Sequence, residues 1–265
     1  MADPQDAYLS APVQRAARLL RHVADGNPAA NMAHAARELG INRTTLLRLL
    51  HTLEAERLIE PRGAGMPGWR IGMGLVGMAA QAFFAMDLVQ AAIPVLARLA
   101  ESLSLSAHLG VLDGRDIVHV VQRTPNHSLV SNVHVGSRLP AHAASMGRIV
   151  LAHLAAGKLA RLYADAPLPP QVRAGLDQDR AAGLSWSEGR NDTSISSVAA
   201  AVLDASGAPV AALDVSGQAM AFEGTERRAQ VARAVTAAAE EISRHLGWPG
   251  ASRRRGGRVG LKVVA

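Results

Sequence analysis

The spacing of apolar residues changes along the chain from a helical period to alternation and back again. Apolar positions three or four residues apart predict a helix over residues 12–25 and a helix pair over residues 32–53. After residue 86 the pattern predicts a mixture of helices and strands: a helix at 87–103, strands at 106–112, 116–122 and about 129–135, a helix at 143–154, helices and loops at 157–183, strands at 194–203 and 209–216, and a helix at 225–246. Antiparallel strands flanked by helices predict an α+β fold for this second part.

The helix pair at residues 32–53 has the features of a helix-turn-helix. Gly40 supplies the backbone conformation that ends the first helix sharply, and Asn42 is suited to cap the second. The second helix buries a leucine stripe, and its other face carries Arg43, Thr44, Thr45 and Arg48. Because the start of such a second helix enters the DNA major groove, these residues are candidates for base and phosphate contacts. The alternative is an ordinary antiparallel helix pair with a solvated polar face.

A Gly- and Pro-rich loop between two short apolar runs predicts a β-hairpin directly after the second helix. The hairpin ends at Trp69-Arg70-Ile71-Gly72, and its position is that of the wing in a winged helix-turn-helix. Arg62 and Arg70 flank its tip and are expected to reach phosphates or the minor groove, and Arg15 of the first helix is expected to neutralise phosphates. The alternative is a surface hairpin with two incidental arginines.

Residues 73–85 are apolar almost all round, so a helix there has to be buried. A segment that connects two domains has little of its own chain to bury it. We therefore interpret it as a dimerisation helix that packs against a second copy, with packing on its own domain as the alternative.

The positive charge of the chain is concentrated in two segments. The formal net charge is +6, of which residues 12–72 carry +4 and residues 253–265 carry +5, whereas residues 73–252 sum to −1. A basic N-terminal part joined to a nearly neutral second part is typical of a DNA-binding domain attached to a sensor domain. The Gly- and Arg-rich tail is expected to be disordered, either adding phosphate attraction or having no role.

The composition excludes several classes of protein and site. The chain has no cysteine, so disulfides and thiolate metal sites are impossible. No apolar run approaches the ~20 residues of a membrane helix, and the acidic N-terminus lacks the core of a signal peptide. A soluble cytoplasmic protein without membrane association is the expectation.

Polar residues at element ends in the second part point to a small-molecule site. Ser145-Met146-Gly147 begins a predicted helix, whose amides can bind an anionic or carbonyl oxygen. Ser197 lies on one predicted strand, and Asp214 and Ser216 lie two residues apart on its hairpin partner, so the latter two share one face of the sheet. Convergent polar groups in an apolar concavity are what a small-molecule pocket requires.

Taken together, these segments resemble the IclR family of bacterial transcription regulators from about Pro12 to Gly247. The resemblance rests on the order and spacing of short motifs: Val13-Gln14-Arg15-Ala16, Glu38-Leu39-Gly40-Ile41, Thr44-Thr45-Leu46-Leu47-Arg48-Leu49-Leu50, Trp69-Arg70-Ile71-Gly72, Gly136-Ser137-Arg138-Leu139-Pro140-Ala141-His142-Ala143 and Val215-Ser216-Gly217. It implies a winged helix-turn-helix domain at 1–72, a linker and dimerisation helix at 73–86, a GAF-like antiparallel-sheet effector domain at 87–250 and a basic tail at 251–265.

The resemblance also implies the partners. Such proteins bind double-stranded operator DNA as homodimers, often assembled further into tetramers, and respond to small metabolites, frequently organic or aromatic acids. The sign of the regulation does not follow from the sequence. The family's ligand-contacting positions correspond here to Ser145, Met146, Ser187, Ser197, Asp214 and Ser216. Trp186 is expected to form a flat apolar wall with Met146, and His142 to hold the adjoining loop by hydrogen bonding.

Asp214 departs from the family pattern, because relatives usually have a small neutral polar residue two positions before the serine at the strand end. An ionised carboxylate facing the pocket would repel a carboxylate effector. The residue therefore suggests a ligand that offers a hydrogen-bond donor: an amine, amide, hydrazide or hydroxyl. The alternative is that Asp214 pairs with a neighbouring arginine or is offset by Arg148.

Enzymatic and metal-dependent alternatives have weaker support. Ser145 near His142 is the best candidate for a nucleophile beside a base, but both lie in a motif whose family role is ligand binding, so no catalytic residue is predicted. Four histidines fall in the second part, but their spacing matches no helical or carboxylate-supported metal motif, so no metal or other cofactor is expected: His108, His119, His134 and His142.

Overall fold

The computed structural model describes residues 8–63, 65–125, 134–188 and 195–250. The chain divides into two compact units, Met1–Ala85 and Met86–Ala265, each with a hydrophobic core of its own. The predicted basic tail at 251–265 lies outside the described residues. So does most of the strand predicted at 129–135, and its last two residues, His134 and Val135, are not in a strand.

The N-terminal unit is a helix-turn-helix followed by a hairpin and one more helix. Leu19, Leu46, Leu50 and Ile59 are fully buried at its centre. The predicted helix-turn-helix and wing hairpin are confirmed. The elements are α1 (Ala11–Ala24), α2 (Met32–Glu38), α3 (Arg43–Ala55), β1 (Ile59–Pro61), β2 (Trp69–Ile71) and α4 (Met73–Phe84).

Local signals fix where the helices of this unit begin and end. The Asn31 side chain accepts hydrogen bonds from the backbone N–H groups of the first turn of α2, and the Asn42 side chain accepts one of 2.7 Å from the Thr45 N–H at the start of α3. Gly40, between the two helices, has φ 63°, a conformation that favours glycine. The turn therefore has the chemistry that its sequence predicted.

The wing hairpin is fastened to the loop that follows α1. The Trp69 N–H donates a 2.8 Å hydrogen bond to the Pro28 carbonyl. A Cβ on Gly68 would lie 2.3 Å from that same oxygen, so the close approach requires glycine at this position. The base of the wing is thereby held close to the helical core.

Helix α4 is not buried by its own unit. Met73 is 62% exposed and Met78 is 54% exposed, and an apolar groove of about 350 Å³ runs beside the helix. The groove is lined by Leu20, Arg21, Ala24, Ile71, Leu75, Val76 and Ala79. Its own unit therefore covers α4 only in part, and much of its apolar surface faces outward.

The C-terminal unit is built on a six-stranded antiparallel sheet with the strand order β5-β4-β3-β8-β7-β6. The strands are β3 (Ser106–Asp113), β4 (Asp116–Arg123), β5 (Arg138–Pro140), β6 (Ser185–Glu188), β7 (Ile195–Leu203) and β8 (Pro209–Gln218). The helices are α5 (Asp87–Leu103), α6 (Ser145–His153), α7 (Ala156–Leu162), α8 (Pro170–Ala182) and α9 (Thr225–His245), with a short 3₁₀ helix at Ala219–Phe222.

The two faces of this sheet pack against different helices. Helix α6 covers the face that carries Ile117, Ala199 and Ala212, with which its Met146 and Ile149 form one apolar cluster. The alternate residues of the strands point to the opposite face, where α5 and α9 pack against the sheet and each other. A residue's parity along its strand therefore decides whether it can line a site beside α6.

The edge strands β5 and β6 were not predicted. Each has only three or four residues, too few to show alternation, and β6 contains the site candidates Trp186 and Ser187. Pairing with longer neighbours, Trp186 with Val198 and Leu139 with Ile117, makes both segments extended. The strands predicted around residues 106–122 and 194–216 and the closing helix are confirmed in the described residues.

Candidate nucleic-acid interface and ligand site

Helix α3 presents two opposite faces. Leu46, Leu50 and Leu53 are buried against α1 and α2, while an outward stripe at helical spacing is exposed. That stripe consists of Thr44, Leu47, Arg48 and His51. Thr45 is half-buried because its backbone N–H is engaged by the Asn42 cap.

Two members of the outward stripe were missed by the sequence analysis. Leu47, 38% exposed, and His51 follow Thr44 at three and seven residues, a spacing that was readable in the sequence. Leu47 was counted with the leucines of the core. An exposed leucine between polar residues offers an apolar contact of the kind that reads a thymine methyl group.

Four of the predicted phosphate- and base-contacting arginines are exposed and carry unpaired guanidinium groups. Within the described residues, their side chains make no hydrogen bond or ion pair: Arg15, Arg43, Arg48 and Arg62. Arg70 differs, because it forms an ion pair across the wing hairpin with Glu60 at 2.7 Å. Its charge is therefore partly compensated before any phosphate approaches.

A row of serines crosses the sheet on the α6 face. The strand registers set Ser187 opposite Ser197, Ser197 opposite Ser216 and Ser216 opposite Ser106. Ser145, the first residue of α6, shares a hydrogen bond of 2.8 Å with Ser197. The structure thus brings together four predicted site residues and adds Ser106, which the sequence analysis missed because its partner lies 110 positions further along the chain.

Asp214 lies one step further along the same face, and its partner is a histidine. His108 stands opposite Asp214 in the β3–β8 register, and its Nδ1 is 2.8 Å from the Asp214 Oδ1. Both side chains are buried, with 2% and 6% of the residues exposed. Arg148 does not offset Asp214, because it makes a two-pronged contact with Asp179 at 2.9 and 3.0 Å.

Two buried polar atoms in this cluster have no hydrogen-bond partner among the described residues: His108 Nε2 and Ser216 Oγ. The ring of His119 meets that of His108 edge to face, with centroids 5.6 Å apart. Burial lowers the pKa of His119, opposed by the Asp214 charge and assisted by His108, so His119 is neutral at neutral pH. Buried polar atoms without partners are costly to a fold and are commonly satisfied by a bound molecule.

Three other predicted effector residues lie elsewhere. Trp186 points to the opposite face of the sheet from Ser187, where Arg228 stacks on its ring at 4.4 Å, so it forms no wall with Met146. Met146 is 1% exposed and belongs to the core. His142 is exposed and lines a separate cavity of about 240 Å³ near Tyr163.

The alternatives of catalysis and metal binding gain no geometric support in the described residues. The Ser145 hydroxyl pairs with Ser197 rather than with His142, so the proposed nucleophile and base are not in contact. No group of three or more His, Cys, Asp or Glu side chains is placed there to hold a metal ion.

Among the described helices, none is by itself long and apolar enough to cross a membrane. Helices α4 and α5 reach that length and hydropathy only when they are taken together.

Two family models match the chain. The model described as IclR helix-turn-helix domain matches residues 12–63, and that described as Bacterial transcriptional regulator IclR C-terminal matches residues 80–244, more than half of the chain. The chain belongs to the IclR family. It is therefore a transcription regulator with a DNA-binding domain and a C-terminal effector domain, and its relatives are regulators rather than enzymes.

Individual relatives agree with this assignment. The transcriptional repressor IclR of Escherichia coli is 26% identical over 217 residues, covering 77% of this chain and 78% of that protein. The glycerol operon regulatory protein of Streptomyces coelicolor is 29% identical over 247 residues, covering 89% and 96%. Among solved structures, an IclR homologue of Microbacterium hydrocarbonoxydans in complex with 4-hydroxybenzoate superposes with a TM-score of 0.76 at 22% identity, covering 89% and 99%, and shares the fold.

Proposed function

We propose that this IclR-family protein binds operator DNA as a homodimer, acts in the cytoplasm and controls a catabolic operon in response to a small organic effector. Residues 1–72 would bind DNA, 73–86 would link and dimerise, and 87–250 would bind the effector. The observation that carries the proposal is the outward stripe of α3, flanked by arginines whose charges are not compensated within the described residues. Unpaired arginines beside a protruding helix supply both groove contacts and phosphate neutralisation.

Titrating labelled DNA from the chain's own upstream region with the protein tests this interface. Arg48→Ala should cost about 1–3 kcal/mol in specific affinity, and Arg43→Ala should lower the affinity for all sequences and flatten its salt dependence. Arg173→Ala, which removes an exposed arginine from α8 in the other unit, is the matched control and should change nothing. Equal losses from Arg48→Ala and Arg173→Ala would contradict the assignment.

The dimer interface is proposed to include α4 and the apolar groove beside it. Val76 is 43% exposed at the edge of this groove, and Met73 and Met78 present further apolar surface. Exposed apolar patches of this kind mark association surfaces in proteins of ordinary solubility. A second copy packed here would bury them and couple two recognition helices, as a palindromic operator requires.

The mass of the protein in solution, measured by light scattering, tests this interface. Val76→Asp should shift the protein toward monomers because a carboxylate would have to be buried between the copies. Gln81→Glu, which adds the same charge on an exposed polar position of α4, is the matched control. A Val76→Asp protein with unchanged mass would place the interface elsewhere, and a wild-type mass of four chains would support a dimer of dimers.

The effector is proposed to bind on the α6 face of the sheet, where Ser145, Ser187, Ser197, Asp214 and Ser216 converge. The two unpartnered buried atoms support this location. The Microbacterium homologue binds an aromatic acid, which supports an aromatic or small organic acid, or its amide- or hydrazide-like derivative, as the class of ligand. Release of labelled operator DNA by such compounds, and its loss in Ser197→Val, tests the link between site and regulation.

A further inference from the structure

We propose that the effector is a carboxylate, that it docks on His108 Nε2 and Ser216, and that it enters together with one proton, which His108 takes up. This inference rests on the proposed effector function and names its ligand class. It replaces the expectation that Asp214 excludes carboxylates. The decisive feature is the buried pair formed by His108 and Asp214, which sequence spacing did not reveal.

The hydrogen bond between the pair fixes the orientation of the imidazole. An ionised carboxylate only accepts hydrogen bonds, so the Nδ1 atom 2.8 Å from Asp214 carries a hydrogen. In the neutral ring, Nε2 is then a bare acceptor, whereas in the protonated ring it is an N–H donor. The protonation state of His108 therefore decides whether this atom attracts a donor or an acceptor on the ligand.

The binding end of the pair is unoccupied by protein groups. His108 Nε2 and Ser216 Oγ are both buried and unpartnered within the described residues. In the β3–β8 ladder, Ser216 lies two positions beyond Asp214, so the hydroxyl and the imidazole line the same face. A carboxylate that accepts from a protonated Nε2 and from the Ser216 hydroxyl would satisfy both atoms at once.

The charges around the pair leave His108 as the group that can compensate an incoming anion. Of the neighbouring titratable groups in the described residues, His119 on β4 is kept neutral by burial, and Arg148 on α6 is bound to Asp179. Arg138 on β5 is held by Asp113 and Asp116, and the facing positions of β7, Ser197 and Ala199, carry no charge.

Proton uptake balances the site. With Asp214 ionised and His108 neutral, an arriving carboxylate would add a second negative charge at low dielectric. One proton from solvent on His108 makes the pair neutral and gives the ligand an N–H donor. The neutral amide of the same acid can instead donate its own N–H to the bare Nε2 and needs no proton.

Calorimetric titration of the full-length protein measures this directly. The probes are 4-hydroxybenzoate, salicylate and succinate, each compared with its amide, in phosphate and in Tris buffer, which differ in ionisation enthalpy. We expect an uptake of about one proton per bound acid and none per bound amide. The affinity for the acid should fall up to tenfold per pH unit as the pH rises above neutrality. Binding of the amides alone, binding of acids without proton uptake, or binding of no probe overturns the proposal.

Two variants separate His108 from general effects on the fold, which circular dichroism monitors. His108→Gln keeps a donor and an acceptor but cannot titrate, so it should abolish the proton uptake and weaken acid binding at least tenfold. Ser216→Ala should weaken acid binding while leaving the uptake at one proton. An unchanged uptake in His108→Gln overturns the proposal. Acids that bind with a proton but leave the affinity for operator DNA unchanged would contradict the proposed regulation and not this chemistry.

Discussion

The first turn of α6 depends on the absence of a side chain at Gly147. A Cβ at this position would lie 2.2 Å from the Ala141 carbonyl oxygen and 2.4 Å from the Ala141 Cα. Both obstacles are backbone atoms, so no side-chain rotation relieves the clash. Since real Cβ contacts stay above 3.0 Å, Gly147→Ala has to move the helix or the preceding loop by about 0.8 Å.

Two terms of opposite sign decide the stability of Gly147→Ala. Alanine in a helix gains about 1 kcal/mol over glycine. Forcing a rigid backbone apart in a packed core costs about 1–3 kcal/mol, and more when neither side can yield. The expected net effect is a destabilisation of about 1–2 kcal/mol, together with a displacement of Ser145 that stretches its 2.8 Å contact with Ser197.

Urea unfolding of Gly147→Ala and Gly157→Ala provides the matched comparison. Gly157 lies in α7, where a Cβ meets nothing within 4 Å, so Gly157→Ala should be neutral or stabilising by up to about 1 kcal/mol. Gly147→Ala should also weaken effector binding, whereas Gly157→Ala should not. Equal stability of the two variants would refute the argument that the approach of Ala141 requires glycine in α6.

Three further predictions concern ionic groups. Glu60→Gln should release Arg70 from its 2.7 Å ion pair and raise DNA affinity at low salt with a steeper salt dependence, measured by anisotropy titration; unchanged affinity would contradict it. His119 has a lowered pKa in the fold, so the unfolded chain binds the extra proton and stability falls as the pH drops through about 6.5. His119→Gln should therefore lose less stability than wild type between pH 7.5 and 5.5 in urea melts, and parallel losses would refute this. Arg148→Met should destabilise the protein by about 3 kcal/mol in the same assay because it leaves the buried Asp179 carboxylate without its cation, and a loss below 1 kcal/mol would show that Ser185 alone satisfies it.

The effector site illustrates how a short strand escapes sequence analysis. Trp186 and Ser187 were both predicted to face the ligand, although neighbours in a strand point to opposite faces. Only the pairing of β6 with β7 makes this segment extended, and the register with Ser197 selects Ser187. Trp186 is thereby directed toward Arg228.

Asp214 illustrates the complementary case. Its departure from the family pattern was visible in the sequence, and so was its place on a strand. Its partner could not be inferred, because His108 lies 106 positions earlier and is brought opposite by the β3–β8 pairing. An arginine was the expected partner of a buried aspartate, and the one named, Arg148, is bound to Asp179 instead.

The sequence by itself determined the DNA-binding unit, because each of its signals acts over a few residues. The Asn42 cap, the Gly40 turn, the leucine stripe and the wing hairpin are short-range features whose geometry follows from local chemistry. Tertiary structure decided the ligand site, because strand register and helix packing join residues far apart in the chain and set which side of the sheet each faces. A shift of register by one residue reverses that orientation, and no local pattern fixes it.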